Sequence, residues 1–171
     1  MGGTYPTNWA GKNERVNNCA AFEGRYKNIG EGGERRDYNP SLSQIFQFPY
    51  HDWDAATEVQ ISLNIDATVK ASIWDKDGNQ IFSISKLKFK CSGGKLLWQG
   101  SPSDWSEGHG HDDPLAGVEN LKMEITKGKD GALYYLNEES GGGLVYMFLP
   151  IVYSGSYWVR FDSVKMSHVE H

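Results

Sequence analysis

From Glu58 onward apolar and polar residues alternate along the chain. The stretch EVQISLNI sets Val59, Ile61, Leu63 and Ile65 on one side of an extended backbone, and TVKASIW does the same with Val69, Ala71 and Ile73. A period of two marks a strand with one face on a core and the other in water. LKFKC continues the pattern with Leu87, Phe89 and Cys91, and IFSIS, KLLWQG, VENLKMEITK, LYYLNEE, LVYMFLP and YWVRF read as further strands. Turn signals stand between them. DKDGNQ (Asp75–Gln80) and GKDGA each carry an Asp-Gly step, and SGG (Ser92–Gly94), SGGG (Ser140–Gly143) and SGS (Ser154–Ser156) supply small flexible residues. Short connections taken in order predict antiparallel neighbours.

Upstream, FEGRYKN (Phe22–Asn28) is a short alternating strand and IGEGGERRDYNP (Ile29–Pro40) a loop. SLSQIFQF (Ser41–Phe48) places Leu42, Ile45 and Phe46 at helical spacing between Pro40 and Pro49, which predicts one short helix near residues 41–48. The expected organisation is an extended surface tail over 1–18, a single β-barrel-like domain over 19–165, and a disordered or tag-derived tail over 166–171. The fold class is all-β: an antiparallel meander of about eight or nine strands, closed as a barrel or folded as a sandwich. An apolar last strand such as SYWVRF needs a partner, and pairing with FEGRYKN would remove both edges.

Composition agrees. Six Trp, nine Tyr, seven Phe and 20 Gly among 171 residues suit strands joined by tight turns. A net charge of −5 argues against a nucleic-acid groove, which needs a basic field. No run reaches the roughly 18 apolar residues of a membrane span. The longest, GLVYMFLPIVY (Gly143–Tyr153), contains a proline and reads as a buried strand or strand pair.

Candidate chemistry is sparse. In WSEGHGHDDP, His109 and His111 with Asp112 offer nitrogen and oxygen ligands of the kind Zn²⁺ or Cu²⁺ takes. There is no H-E-x-x-H pattern and no second Cys/His cluster, and the Gly- and Asp-rich setting favours a solvated loop. A metal-binding protein is therefore the alternative function. YHDWD (Tyr50–Asp54) reads as a capping turn with Trp53 packed on the rim, against a reading as an acid–base site. No nucleophile elbow or phosphate loop is present, so neither catalysis nor a cofactor is expected. An envelope hydrolase is the second alternative, and it would need two carboxylates placed across a cleft. Trp74, Trp98, Tyr135 and Tyr146 would line an apolar ligand cavity if the sheet is hollow, and would be core if it is filled. Cys19 and Cys91 are either a free pair in a reducing compartment or one disulfide in an oxidising one.

CAAFEGRYKNIGE, followed much later by LKFKCSGGKL, resembles the mature part of a family of small, mostly uncharacterised bacterial lipoproteins. The resemblance implies export, a Cys19–Cys91 disulfide, and a periplasmic domain held to the outer membrane by a lipid anchor on a cysteine upstream of this sequence. A weaker likeness is to lipocalin-type barrels, which pair an early G-x-W with an arginine near the last strand. The counterparts are Gly24, Tyr26 and Arg160, which would close the barrel where its ends meet. The expected function is a non-catalytic cell-envelope protein with a binding or structural role. Its partner would be a small apolar ligand or an envelope protein.

Overall fold

In the computed structural model, which describes residues 6, 9, 17–32, 39–101, 118–145 and 149–165, the alternating segments become antiparallel strands. The described strands are β1 (Gly24–Lys27), β2 (Glu31–Gly32), β3 (Glu58–Leu63), β4 (Val69–Trp74), β5 (Gln80–Ile84), β6 (Phe89–Ser92), β7 (Lys95–Trp98), β8 (Val118–Lys127), β9 (Leu133–Val145) and β10 (Leu149–Phe161). One sheet has the order β1-β3-β4-β5 and the other β2-β10-β9-β8-β7-β6. The fold is therefore all-β, as the alternation predicts.

The helix expected near residues 41–48 forms over only one turn, α1 (Leu42–Ile45). The Ser41 side chain accepts from the Gln44 backbone N–H and the Gln44 side chain from that of Ser41, which closes a capping box. This turn buries Leu42 and Ile45 against the core. Val59 and Ile61 on β3, Val69, Ala71 and Ile73 on β4, and Leu87, Phe89 and Cys91 are all buried, as their period requires. Ile65 departs from it. β3 stops at Leu63, Asn64–Ala67 forms a tight turn in which the Ala67 N–H donates to Asn64 O, and Ile65 is fully exposed.

The glycine runs depart further. SGGG and SGS do not turn the chain: β9 runs through the first and β10 through the second, with Gly141, Gly142 and Gly143 opposite Tyr153, Val152 and Ile151. Glycine lacks a side chain but keeps both ladder groups, so a neighbouring strand can hold it extended. The described parts of GLVYMFLPIVY thus pair as the end of β9 and the start of β10, and Val152 lies in solvent.

Neither sheet closes on itself as a barrel. The ladder partner of β10 on its free side is β2, through Val159 opposite Gly32 and Arg160 opposite Glu31, and not the FEGRYKN strand. That contact is reduced to the residues after β10: Tyr26 bridges Ser163, the Lys27 N–H donates to Asp162 O and the Val164 N–H to Arg25 O. A second junction joins the sheets on the far side. Thr68 bridges Lys90, the Leu87 N–H donates to Val69 O and the Cys91 N–H to Ala67 O. Both sheets, α1 and Phe22 contribute to one apolar core. Its interior is filled by side chains such as Phe46 and Phe89, whose rings meet edge-on at 5.4 Å.

Candidate functional site

The N-terminal end of the described core is sealed. Cys19–Phe22 forms a 3-10 turn, begun by the Asn18 side chain accepting from the Ala20 N–H. A disulfide joins Cys19 to Cys91, 72 residues on. Tyr26, fully buried on β1, donates its hydroxyl to Phe22 O at 2.8 Å. Lys127, at the end of β8, donates to Ala21 O at 2.5 Å and to the Tyr26 hydroxyl at 2.9 Å, with its ammonium 5.2 Å from the centre of the Tyr26 ring. Burial pushes the Tyr26 phenol far above its ordinary range and lowers Lys127.

Arg160 has other partners. Its guanidinium lies over Tyr134 at 5.9 Å, donates to the Tyr134 hydroxyl at 3.4 Å and to Asp130 at 3.1 Å, and pairs with Asp162. The cation laid on Tyr26 is Lys127, so Gly24 and Tyr26 belong to the sealed end and Arg160 to a cluster on the other face of the β8–β10 sheet. Partial burial raises the Asp130 carboxyl, but hydrogen bonds from the Tyr134 hydroxyl, the Ala132 N–H and Arg160 outweigh it and hold the pKa below the usual carboxylate value. Trp9 is buried on this face, with its ring 5.6 Å from that of Tyr134. This part of the 1–18 segment is thus packed against the sheet.

Away from the sealed end the interior becomes polar. On β9 the inward row is Leu133, Tyr135, Asn137 and Glu139, opposite Lys127, Ile125, Met123 and Leu121 on β8 and Phe161, Val159, Tyr157 and Gly155 on β10. The Asn137 side-chain amide donates to the Tyr135 hydroxyl at 3.2 Å, and the rings of Tyr135 and Tyr157 meet edge-on at 6.1 Å. Tyr135 is wholly buried. Desolvation first, then the neighbouring Tyr157 and Glu139, push its phenol well above its ordinary range. Asn137 is 2% exposed, and its Oδ1 is buried with no hydrogen-bond partner among the described residues. Two rows from Asn137 on β9, Glu139 is half-buried, and it has no ion pair or hydrogen bond among the described residues. Leu121, Glu139 and Gly155 line a cavity of about 480 Å³ that spans three rows of β8, β9 and β10. Lys122 and Glu138 line the same cavity and pair with each other at 3.4 Å.

The four aromatic residues proposed as a cavity lining are not brought together. Tyr135 is interior. Trp74 lies in register with Glu58 on the opposite face of β4 from Val69, Ala71 and Ile73, and Arg25 stacks on it at 4.1 Å. Trp98 ends β7, opposite Phe89, at the margin of the core. Tyr146 falls outside the described residues, as do His109, His111 and Asp112. Among the described residues no group of three or more His, Cys, Asp or Glu could hold a metal ion. YHDWD is the capping turn expected: Tyr50–Asp52 is a 3-10 turn, the Trp53 indole donates to Phe48 O at 2.6 Å, and His51 is exposed.

Sequence reasoning missed Lys127, Asp130 and Asn137. For Asn137 a signal existed. It stands at an inward position of LYYLNEE, where an apolar residue would keep the period, and a polar residue that breaks a buried row needs an explanation. No protein-family model, curated protein or solved structure matches this chain.

Proposed function

We propose that this chain is a non-catalytic binding protein of the bacterial cell envelope. In this reading the two sheets act together as one barrel-like wall, joined at the Tyr26–Ser163 and Thr68–Lys90 junctions, and the ligand is a small, mainly apolar molecule. The observation that carries it is the asymmetry of the interior. One end is sealed by Tyr26, Lys127 and the Cys19–Cys91 bridge. Towards the other end the interior turns polar at Asn137, whose Oδ1 is buried with no partner among the described residues, one inward position from the row of Leu121, Glu139 and Gly155 that lines an open hollow. A fold that needed only a filled core would gain by placing an apolar residue at position 137. The disulfide supports an oxidising compartment, the periplasm, since such bridges rarely persist in the cytosol. The lipoprotein resemblance adds an outer-membrane anchor attached upstream.

Native mass spectrometry of protein purified gently from the periplasm tests the reading. The expected result is a bound small molecule, lost on denaturation, on a chain without free thiols. A bare chain that also fails to take up an apolar fluorescent probe such as 1-anilinonaphthalene-8-sulfonate overturns it.

A further inference from the structure

The tripeptide Lys-Asp-Gly occurs twice in this chain, as Lys76–Gly78 and as Lys129–Gly131. Each copy sits in a tight turn between paired strands, the first joining β4 to β5 and the second β8 to β9. Their glycines are alike. Gly78 and Gly131 have φ of +80° and +84°, and their N–H groups donate to Asp75 O at 3.2 Å and to Gly128 O at 3.0 Å. The aspartate side chains differ. Asp130 Oδ1 accepts from the Ala132 N–H at 3.1 Å, and its Oδ2 accepts from the Tyr134 hydroxyl at 2.5 Å and from Arg160 at 3.1 Å. Asp77 is exposed, and among the described residues its carboxylate has no hydrogen bond or ion pair. Space differs too. A Cβ at Gly78 would meet nothing within 4 Å, whereas one at Gly131 would meet the Ser163 hydroxyl at 3.2 Å.

We propose that Asp77 is a site of spontaneous isomerisation to β-linked isoaspartate, and that Asp130, in the same tripeptide, is protected from it. The Gly78 amide nitrogen attacks Asp77 Cγ. A bond forms between that nitrogen and Cγ, and a C–O bond of the protonated carboxyl breaks. The N–H proton and the departing hydroxyl leave together as water, and a cyclic succinimide remains. Water then returns at either ring carbonyl. Opening at Cγ restores aspartate, and opening at the main-chain carbonyl leaves the chain running through the side-chain carbon. The water lost is the water regained, so no oxidant or co-reactant is consumed. Glycine favours the step, because without a side chain it leaves the nitrogen accessible and the backbone able to rotate. Both glycine N–H groups must leave a turn hydrogen bond, so the carboxyls make the difference. That of Asp77 can swing to the nitrogen, whereas that of Asp130 must first give up its donors. A hydrogen bond to a charged group is worth at least about tenfold in a rate. The product lengthens the main chain inside the turn that the Asp75 carboxylate caps through the Asp77 and Asn79 N–H groups. It therefore loosens β5, an outer strand whose ladder partner is β4.

Incubating the folded chain at neutral pH in isotopically labelled water tests this. Peptides spanning the two turns are separated by liquid chromatography, and their label and linkage are read by mass spectrometry with electron-transfer fragmentation. A parallel sample is unfolded in guanidinium chloride with the Cys19–Cys91 bridge intact. In the folded protein the peptide containing Asp77 should gain label and the β-linkage at least about tenfold faster than the peptide containing Asp130. In the unfolded sample the two rates should converge, because the tripeptide is the same. Equal rates in the folded protein, faster conversion at Asp130, or no conversion at Asp77 while the unfolded chain converts overturns the proposal. Aged protein should also exchange amide hydrogens faster over Gln80–Ile84 than fresh protein, and Asp77→Glu, whose longer side chain disfavours the ring, should show no such change with age. The comparison of the two turns is made within the unmutated chain, so it does not depend on how that variant folds.

Discussion

Asp130 gathers hydrogen bonds from the Tyr134 hydroxyl, the Ala132 N–H and Arg160, and its pKa is lowered as a result. A carboxyl whose folded pKa is depressed contributes stability that is present above its unfolded value, 3.8, and is lost as pH falls through the folded one. Asp130→Asn should therefore unfold at lower denaturant than the unmutated chain at pH 7, and the gap should shrink as pH drops below about 4. A gap that stays constant to pH 2 would remove this account. Gly30 makes a different point. A Cβ there would sit 2.7 Å from Arg160 O and from the Val159 side chain, so the chain can approach β10 this closely only with glycine. Gly30→Ala should cost about 1–3 kcal/mol by chemical denaturation. Tyr26→Phe removes the hydroxyl that donates to Phe22 O and accepts from Lys127. Its expected cost is also about 1–3 kcal/mol, because Lys127 is left partly buried with one acceptor fewer.

At the scale of elements, the alternation in β3 separates two isoleucines of the same sequence pattern. Ile61 is buried, whereas Ile65 lies beyond the end of the strand in solvent. Ile61→Ala should cost about 2–5 kcal/mol and Ile65→Ser less than about 0.5 kcal/mol. Equal costs would mean that β3 continues past Leu63. Hairpin turns are fixed locally: the Asp75 carboxylate accepts from the Asp77 and Asn79 N–H groups, and Gly78 takes the φ of +80° that the turn requires. The same residue types at Ser140–Gly143 are ladder residues, because β10 lies alongside and pairs with each glycine. Glycine states only that a turn is permitted. Whether one forms depends on what the neighbouring strand offers the backbone. The Asn137 signal was equally local but ambiguous, since a polar residue in an apolar row is read as buried only once the row is known to face the core.

For the whole molecule, the Cys19–Cys91 bridge ties the N-terminal turn to a strand of the other sheet. Closing a loop of this length in the unfolded chain is worth about 4 kcal/mol. Reduction, or the Cys19→Ala/Cys91→Ala variant, should lower stability by about that amount. It should also speed amide exchange first in residues 19–27, as read by hydrogen-exchange mass spectrometry. Uniform acceleration over β8–β10 would place the effect elsewhere.

Taken alone, the sequence determined the strand class, the inward faces of β3 and β4, a short helix between Pro40 and Pro49 and the Asp-Gly hairpins. These follow from side-chain period and local backbone preference, which act over a few residues. The two sulfurs were legible as a possible bridge. Only the tertiary structure brought them together, handed the Tyr26 ring to Lys127 and Arg160 to Tyr134, and divided the strands between two sheets. Such partners are chosen by contacts between segments far apart in the chain, where many pairings satisfy the same alternation and packing selects one.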